Sequence, residues 1–230
     1  MILKKKIVAL VPARGGSKGI KLKNLKKINK KSLVELTSDF IDATKIFDAK
    51  ILSTDHKDIL KIGKKLNFKN LVRSKKLSGD RVSDYILIKD ILKKVINKKN
   101  NFDYLVYLQP TSPIRDTNHF LNTINKVIKK KLDGAWSVTK IDKKFHPLKV
   151  MYNSRGHLKL FLKTGEKIIA RQTLSDVFIR NGIFYIFSIK ELKKQNTIYL
   201  KKMLLSETNY ECVNIDNLND LKVARSILKK

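Results

Sequence analysis

The stretch IVALVPARGGSKGIKLKNLKKI, residues 7–28, opens on a continuous apolar run and changes character at Pro12. The loop that follows carries Arg14, two adjacent glycines, Ser17, Lys18, Gly19 and Lys23. A buried strand that discharges into a small-residue, cationic loop presents backbone N–H groups and positive charge to phosphates. The loop lacks the Gly-x-x-x-x-Gly-Lys-Ser/Thr spacing, and no Gly-x-Gly-x-x-Gly follows the strand. The alternative is a surface turn with incidental charges. An arginine, a serine and two lysines in one loop weigh against it.

Outward from this segment, short apolar runs alternate with amphipathic stretches. Strands are expected at 6–11, 49–53, 70–73, 104–108 and 134–138, and helices at 32–47, 58–66, 83–96 and 117–130. In the third helix Ile86, Leu87, Asp90, Ile91, Lys94 and Val95 follow the helical period. Ser32, Ser83 and Thr117 are placed to act as N-caps. Such alternation implies right-handed crossovers and a mainly parallel sheet covered on both faces. After Val138 the pattern changes. Strands are expected at 150–152, 158–162 and 183–187, with turns at 153–156 and 164–166 and no long helix between them. A strand at 210–215 and a helix at 218–228 follow. The expectation is one α/β domain over residues 1–230, a mainly parallel mixed sheet with a β-rich arm at about 140–180.

Composition narrows the function classes. The chain has 230 residues, enough for one substantial domain, and a hydrophobic fraction of 42% suits a globular core. No segment approaches the ~18 apolar residues that span a bilayer, so no membrane insertion is expected. The basic, apolar start runs straight into Pro12 and Arg14 and reads as a first core strand, not a signal peptide. Cys212 is the only cysteine, which excludes an intramolecular disulfide and gives no hint of export. A cytoplasmic protein is expected. The formal net charge of +31 invites a basic nucleic-acid-binding protein, which would show steep salt dependence and no nucleotide selectivity. The lysines, however, are spread over nearly every expected helix and turn, while arginines are few. That spread, with only 9 glycines and 4 prolines, fits an AT-rich coding sequence. No specific nucleic-acid partner is expected, and the charge is compatible with weak recruitment of anionic substrates.

In an open parallel sheet the ligand site lies beyond the carboxyl ends of the strands. Five polar clusters fall at such ends: residues 14–23, Ser53-Thr54-Asp55, Arg73 with the loop through Gly79-Asp80, LQPTSPIR at 108–115, and Asn214-Ile215-Asp216. Together they resemble the acylneuraminate cytidylyltransferase family, which makes CMP-sialic acid and CMP-activated relatives such as legionaminic and pseudaminic acids. The resemblance runs through ARGGSKGIKLKN at 13–24, STD at 53–55, LQPTSPIR, HPLK at 146–149, RQ at 171–172 with RNGIFYI at 180–186, and NID at 214–216.

The resemblance implies a Rossmann-like nucleotidyltransferase fold and a homodimer whose β-rich arm reaches over the partner's site. The implied reaction is Mg²⁺-dependent transfer of CMP from CTP to the anomeric hydroxyl of a nine-carbon 2-keto sugar acid, with pyrophosphate leaving. Arg14, Ser17, Lys18 and Lys23 would hold the triphosphate, with Asn24 near the ribose. Arg73, Asp80, Val82 and Asp84, with Gln109, would recognise cytidine. Arg14, Lys23 and Asp216 would carry the chemistry. Gln109, Thr111, Ser112, Arg171, Arg180 and Asn181 would bind the sugar acid, whose carboxylate suits guanidinium. Asp216 would bind the metal, and Asn214 stands where the family usually has a second aspartate. An amide oxygen is a weaker ligand for a hard cation, although alternation in a strand would put both residues on one face. Lys21 replaces a common proline, which implies a more mobile loop. Asp55 either caps the following helix or serves the site, and His146 fits a loop or substrate-contact role. Three alternatives remain: a cytidylyltransferase for an eight-carbon acid, the basic nucleic-acid-binding protein, and a pseudo-enzyme damaged at Asn214.

Overall fold

The apolar run that heads the chain becomes strand β1 (Ile7–Pro12), and its alternation decides the layering. Ile7, Ala9 and Val11 pack on one face of the sheet, while Val8 and Leu10 pack on the other. A strand buried on both faces reads as continuously apolar, because neither set of side chains meets water. The computed structural model describes residues 5–97, 101–167 and 169–229, with the side chain of Arg171 outside that description.

After β1 come the two-residue strands β2 (Lys27–Ile28) and β3 (Lys31–Ser32), then α1 (Leu33–Thr44), β4 (Ala49–Thr54), α2 (Lys57–Lys65), β5 (Lys69–Val72) and α3 (Asp84–Val95). The chain continues through β6 (Tyr104–Tyr107), α4 (Thr117–Lys129), β7 (Gly134–Lys140), β8 (Met151–Ser154), β9 (His157–Leu160) and β10 (Phe178–Ser188). Helix α5 (Ile189–Gln195), β11 (Met203–Glu207) and α6 (Leu218–Ile227) complete the described elements. The main sheet has seven strands in the order β11-β7-β10-β6-β1-β4-β5. Strand β1 is parallel to both β4 and β6, β4 to β5, and β7 to β11. Only β10 runs against its neighbours, β6 and β7. The parallel, helix-covered sheet matches the α/β expectation.

Under one face Phe120 of α4 meets Phe40 of α1 and Phe184 of β10 edge-to-face, with centroids 5.4 and 5.2 Å away. Leu87, Ile88 and Ile91 of α3 cover the other face. Ser32 forms a capping box on α1, accepting from Glu35 N–H while its own N–H donates to Glu35 Oε2. Ser83 accepts from Ile86 N–H at the start of α3, as expected. Among the described residues no helix is long and apolar enough to cross a membrane.

Three local expectations need correction. Asp116, not Thr117, caps α4. Its Oδ1 accepts from His119 N–H at 3.0 Å, and a carboxylate also complements the positive helix end. Residues 210–215 do not form a strand, and the edge position belongs to β11 beside β7. Pairing ends at Thr208, whose N–H donates to Val138 O, and only Ile215 of 210–215 is buried. Residues 183–187 belong to β10 in the main sheet, not to an excursion. Strands β8 and β9 form a separate two-stranded sheet, with the expected turn closed by Gly156 N–H donating to Asn153 Oδ1 at 2.8 Å.

Candidate functional site

Because β1, β4, β5 and β6 are parallel, the loops that follow them open on one edge of the sheet. Those after β1, β5 and β6 enclose a cleft of about 570 Å³. Arg14, Ser17, Lys18, Lys23 and Asn24 line it from the loop after β1. Arg73, Asp80, Val82 and Asp84 line it from the loop after β5 and the start of α3. Gln109 and Thr111 enter from the turn after β6, and Asp216 closes the remaining side.

The first loop is braced from several directions. Asp55 Oδ1 accepts from Gly15 N–H at 2.7 Å, while His56 caps α2, so the open question over Asp55 resolves to a brace on the loop. Asn24 is buried and its Nδ2 donates to Arg14 O at 2.9 Å. Its Oδ1 has no partner, which leaves a desolvated acceptor at the wall of the cleft. Gly19 lies so close to the Asp216 backbone oxygen that any Cβ would collide with it. That contact fixes the loop against the segment that carries Asp216.

Three of the four cations that line the cleft are met by carboxylates. Arg14 Nη1 and Lys18 Nζ pair with the two oxygens of Asp80, at 2.7 and 2.6 Å. These hydrogen bonds, first from Lys18 and then from Arg14, hold the Asp80 carboxyl below the usual carboxylate range. Lys23 Nζ lies 2.8 Å from Asp216 Oδ1. Arg73 is buried, with Nε donating to Ser53 Oγ and Nη2 to Ser53 O, and desolvation lowers its pKa. Tyr107, expected only as part of a strand, donates its hydroxyl to Asp84 Oδ1 at 2.7 Å. Burial, with Asp84 beside it, pushes that phenol well above its ordinary value. The signal that points to it is a polar-tipped aromatic as the last residue of a buried parallel strand.

A model of one family, described as cytidylyltransferase, matches residues 8–210. The chain belongs to the cytidylyltransferase family. It is 24% identical over 228 residues to pseudaminic acid cytidylyltransferase of Campylobacter jejuni strain 81-176, covering 97% of each chain. It is 29% identical over 122 residues to N-acylneuraminate cytidylyltransferase of Escherichia coli strain RS218, covering 53% of this chain and 28% of that protein. Among solved structures it resembles CMP:2-keto-3-deoxy-manno-octonic acid synthetase complexed with CTP, with a TM-score of 0.70 and 14% identity over 97% of this chain and 98% of that one. The likeness to solved structures concerns the fold. The acylneuraminate cytidylyltransferase resemblance read from the motifs is borne out.

Several expected residues lie elsewhere in this cytidylyltransferase. Ser112 is buried and its hydroxyl donates to Asn181 O. Asn181 Nδ2 donates to Thr139 and Thr208, and its Oδ1 accepts from Ser137 Oγ at 2.6 Å. Both residues fasten β10 to its neighbours and neither lines the cleft. Arg180 lines a second cavity of about 460 Å³, which shares Val82 and Asp84 with the first. Its guanidinium lies over Trp136, Tyr199 and Tyr185, at 4.4, 5.4 and 6.0 Å from the ring centroids. Arg171 falls in a short turn, and its side chain lies outside the described residues. Asn214 is exposed and absent from the cleft wall. Residues 214 and 216 are not in a strand, so the shared-face expectation fails. His146 is buried in a turn, with Nδ1 accepting from Leu148 N–H.

One residue outside the expected set positions the cleft. Arg115 donates through Nη2 to Gln109 O at 2.6 Å and through Nε to Ile183 O at 3.0 Å. It clamps the proline-flanked turn to β10, and burial pushes its pKa down to about 9.

Proposed function

We propose that the chain transfers CMP from CTP to the anomeric hydroxyl of a nine-carbon 2-keto sugar acid of the sialic, legionaminic or pseudaminic class. The new bond joins the anomeric oxygen to the α-phosphorus. The bond between that phosphorus and the oxygen leading to the β-phosphate breaks, and pyrophosphate departs. The carrying observation is the meeting of Arg14, Lys18, Lys23, Asn24, Arg73, Gln109 and Asp216 around one cleft. The family membership and the names of the relatives agree with it.

Positioning and charge stabilisation account for such a displacement. Arg14 and the lysines neutralise the phosphates, and Asn24 lines the cleft where the ribose would lie. Gln109, held through its carbonyl by Arg115, reads the cytosine edge or the acceptor. Arg180 receives the acceptor's carboxylate from the second cavity. Among the described residues no group of three or more His, Cys, Asp or Glu side chains is placed to hold a metal ion. A magnesium site with one carboxylate, completed by triphosphate oxygens and water, fits Asp216 at the cleft wall. Bound magnesium would supply charge neutralisation on the triphosphate. Asn214 would have to reach such an ion from outside the cleft wall.

Exposed Met151, Tyr152, Leu158 and Phe161 on and beside the β8–β9 hairpin support its role as a dimerisation arm. The deciding assay is pyrophosphate release with CTP, Mg²⁺ and a panel of nine-carbon sugar acids. An eight-carbon acid and other nucleoside triphosphates serve as controls. CTP-specific turnover with a nine-carbon acid is expected, and its absence across the panel refutes the proposal.

A further inference from the structure

Both oxygens of one carboxylate are committed to the loop after β1. Asp80 Oδ1 lies 2.7 Å from Arg14 Nη1, and Oδ2 lies 2.6 Å from Lys18 Nζ. Asp80 belongs to the loop after β5, so the two pairs join opposite rims of the cleft. Besides these pairs, Arg14 Nη1 donates to Ser78 O at 3.4 Å. The side chains of Lys18 and Asp80 are 86% and 42% exposed, and nothing lies within 4 Å of the Cβ position of adjacent Gly79. Ion pairs this exposed contribute little net stability. In the other pair of the cleft the cation is the covered partner, with Lys23 14% and Asp216 69% exposed.

We propose that Asp80 is an internal competitor for phosphate, holding the guanidinium and ammonium that a triphosphate needs and admitting only ligands that outcompete it. This rests on the reading of the cleft as a CTP site. A carboxylate offers one negative charge to the two cations. A triphosphate or pyrophosphate offers more charge and more oxygens, and displaces it. The acceptor's own carboxylate offers no such surplus. Asp80 therefore keeps the second anionic substrate off the phosphate seat, in a cleft that has to accommodate both. Once displaced, it is a like charge beside the leaving group and favours departure of pyrophosphate.

The test is equilibrium titration of the full chain with pyrophosphate, orthophosphate and CTP in metal-free buffer. Wild type is compared with Asp80→Asn, Asp80→Ser and Arg14→Ala, each checked for folding by circular dichroism. Loss of the competitor should tighten pyrophosphate binding by about 5–10-fold and make orthophosphate binding measurable. In turnover assays, product inhibition by pyrophosphate should strengthen by a similar factor in Asp80→Asn, a change that loss of a merely structural tie does not produce. Unchanged or weaker pyrophosphate binding in both Asp80 variants overturns the inference. The titrations are repeated with magnesium, and a loss of pyrophosphate binding in the Asp80 variants that appears only there also overturns it, because Asp80 would then be a ligand of the cation. Arg14→Ala separates the two levels. If CTP binding survives that change, the cleft reading fails and the inference falls with it. If CTP binding depends on Arg14 while Asp80 has no effect, the competitor alone fails.

Discussion

At the parallel end of the sheet, Arg14, Lys18 and Lys23 stand on a loop and pair with Asp80 and Asp216. At the antiparallel end, Arg180 stands within β10 and lies across the faces of Trp136, Tyr185 and Tyr199. Carboxylates can be exchanged for other anions, so the first arrangement suits a ligand whose phosphates arrive and leave. Aromatic faces stay in place and hold the guanidinium in one orientation, so the second suits repeated recognition of one planar carboxylate. One sheet thus offers an exchangeable cationic site beside a fixed one.

The largest effect should come from the residue that joins the two ends. Phe120 packs against Phe40 and Phe47 from the parallel half and Phe184 from β10. Phe120→Ala should cost about 3–5 kcal/mol in urea denaturation. A loss below about 1 kcal/mol would mean that the halves are stable independently of this contact.

Next is Arg14→Ala, which should lower kcat by roughly 10²–10³ with the circular dichroism spectrum unchanged. Near-normal turnover would remove the parallel end from the chemistry. Arg180→Lys keeps the charge but loses the planar two-pronged donor, and should raise the KM for the sugar acid about tenfold while leaving that for CTP alone. A rise in the KM for CTP would erase the division of labour between the two ends.

Smaller effects lie in α4, which covers both. Asp116→Ala should cost about 1 kcal/mol in thermal or urea unfolding, whereas Thr117→Ala should cost much less. His119 Nε2 lies 2.7 Å from Ser206 Oγ, which in turn meets Thr123 Oγ1. Thr123 donates to His119 O, so a chain running from Nε2–H through Ser206 leaves Nδ1 unprotonated, buried and without a partner. Desolvation lowers the His119 pKa from 6.5. The folded form then binds the proton less readily than the unfolded chain. The contribution is complete above the unfolded value near 6.5 and is lost as pH falls from there through the folded pKa. Unfolding curves between pH 8 and 5 should show this loss in wild type and a shallower one in His119→Gln. Parallel pH profiles would rule it out.

What could be read from the sequence follows the range of the forces involved. Strand β1 and its cationic loop were legible because apolar alternation and loop chemistry are contiguous in the chain. Residues 210–215 alternate well enough to suggest a strand, yet β11 won the edge of the sheet through its register from Met203–Gly134 to Glu207–Val138. Ser112 and Asn181 have the chemistry of ligand-binding residues. Their hydrogen bonds are used within the protein, by partners such as Ser137 and Thr139 that lie about forty residues away from Asn181. Arg115 was quoted within a motif, but its grip on Ile183 is a tertiary fact. At the cap of α4, two adjacent good capping residues competed, and the charged one prevailed.

The contact between Gly19 and the backbone of Asp216 also orders events during translation. A ribosome releases the first loop early, followed by the loops after β5 and β6, but the wall bearing Asp216 emerges only after nearly all the other lining residues. The same late segment pins the proline-flanked turn, through Ile215 N–H donating to Thr111 O. A nascent chain therefore displays Arg14, Lys18 and Lys23 long before the cleft they line is complete.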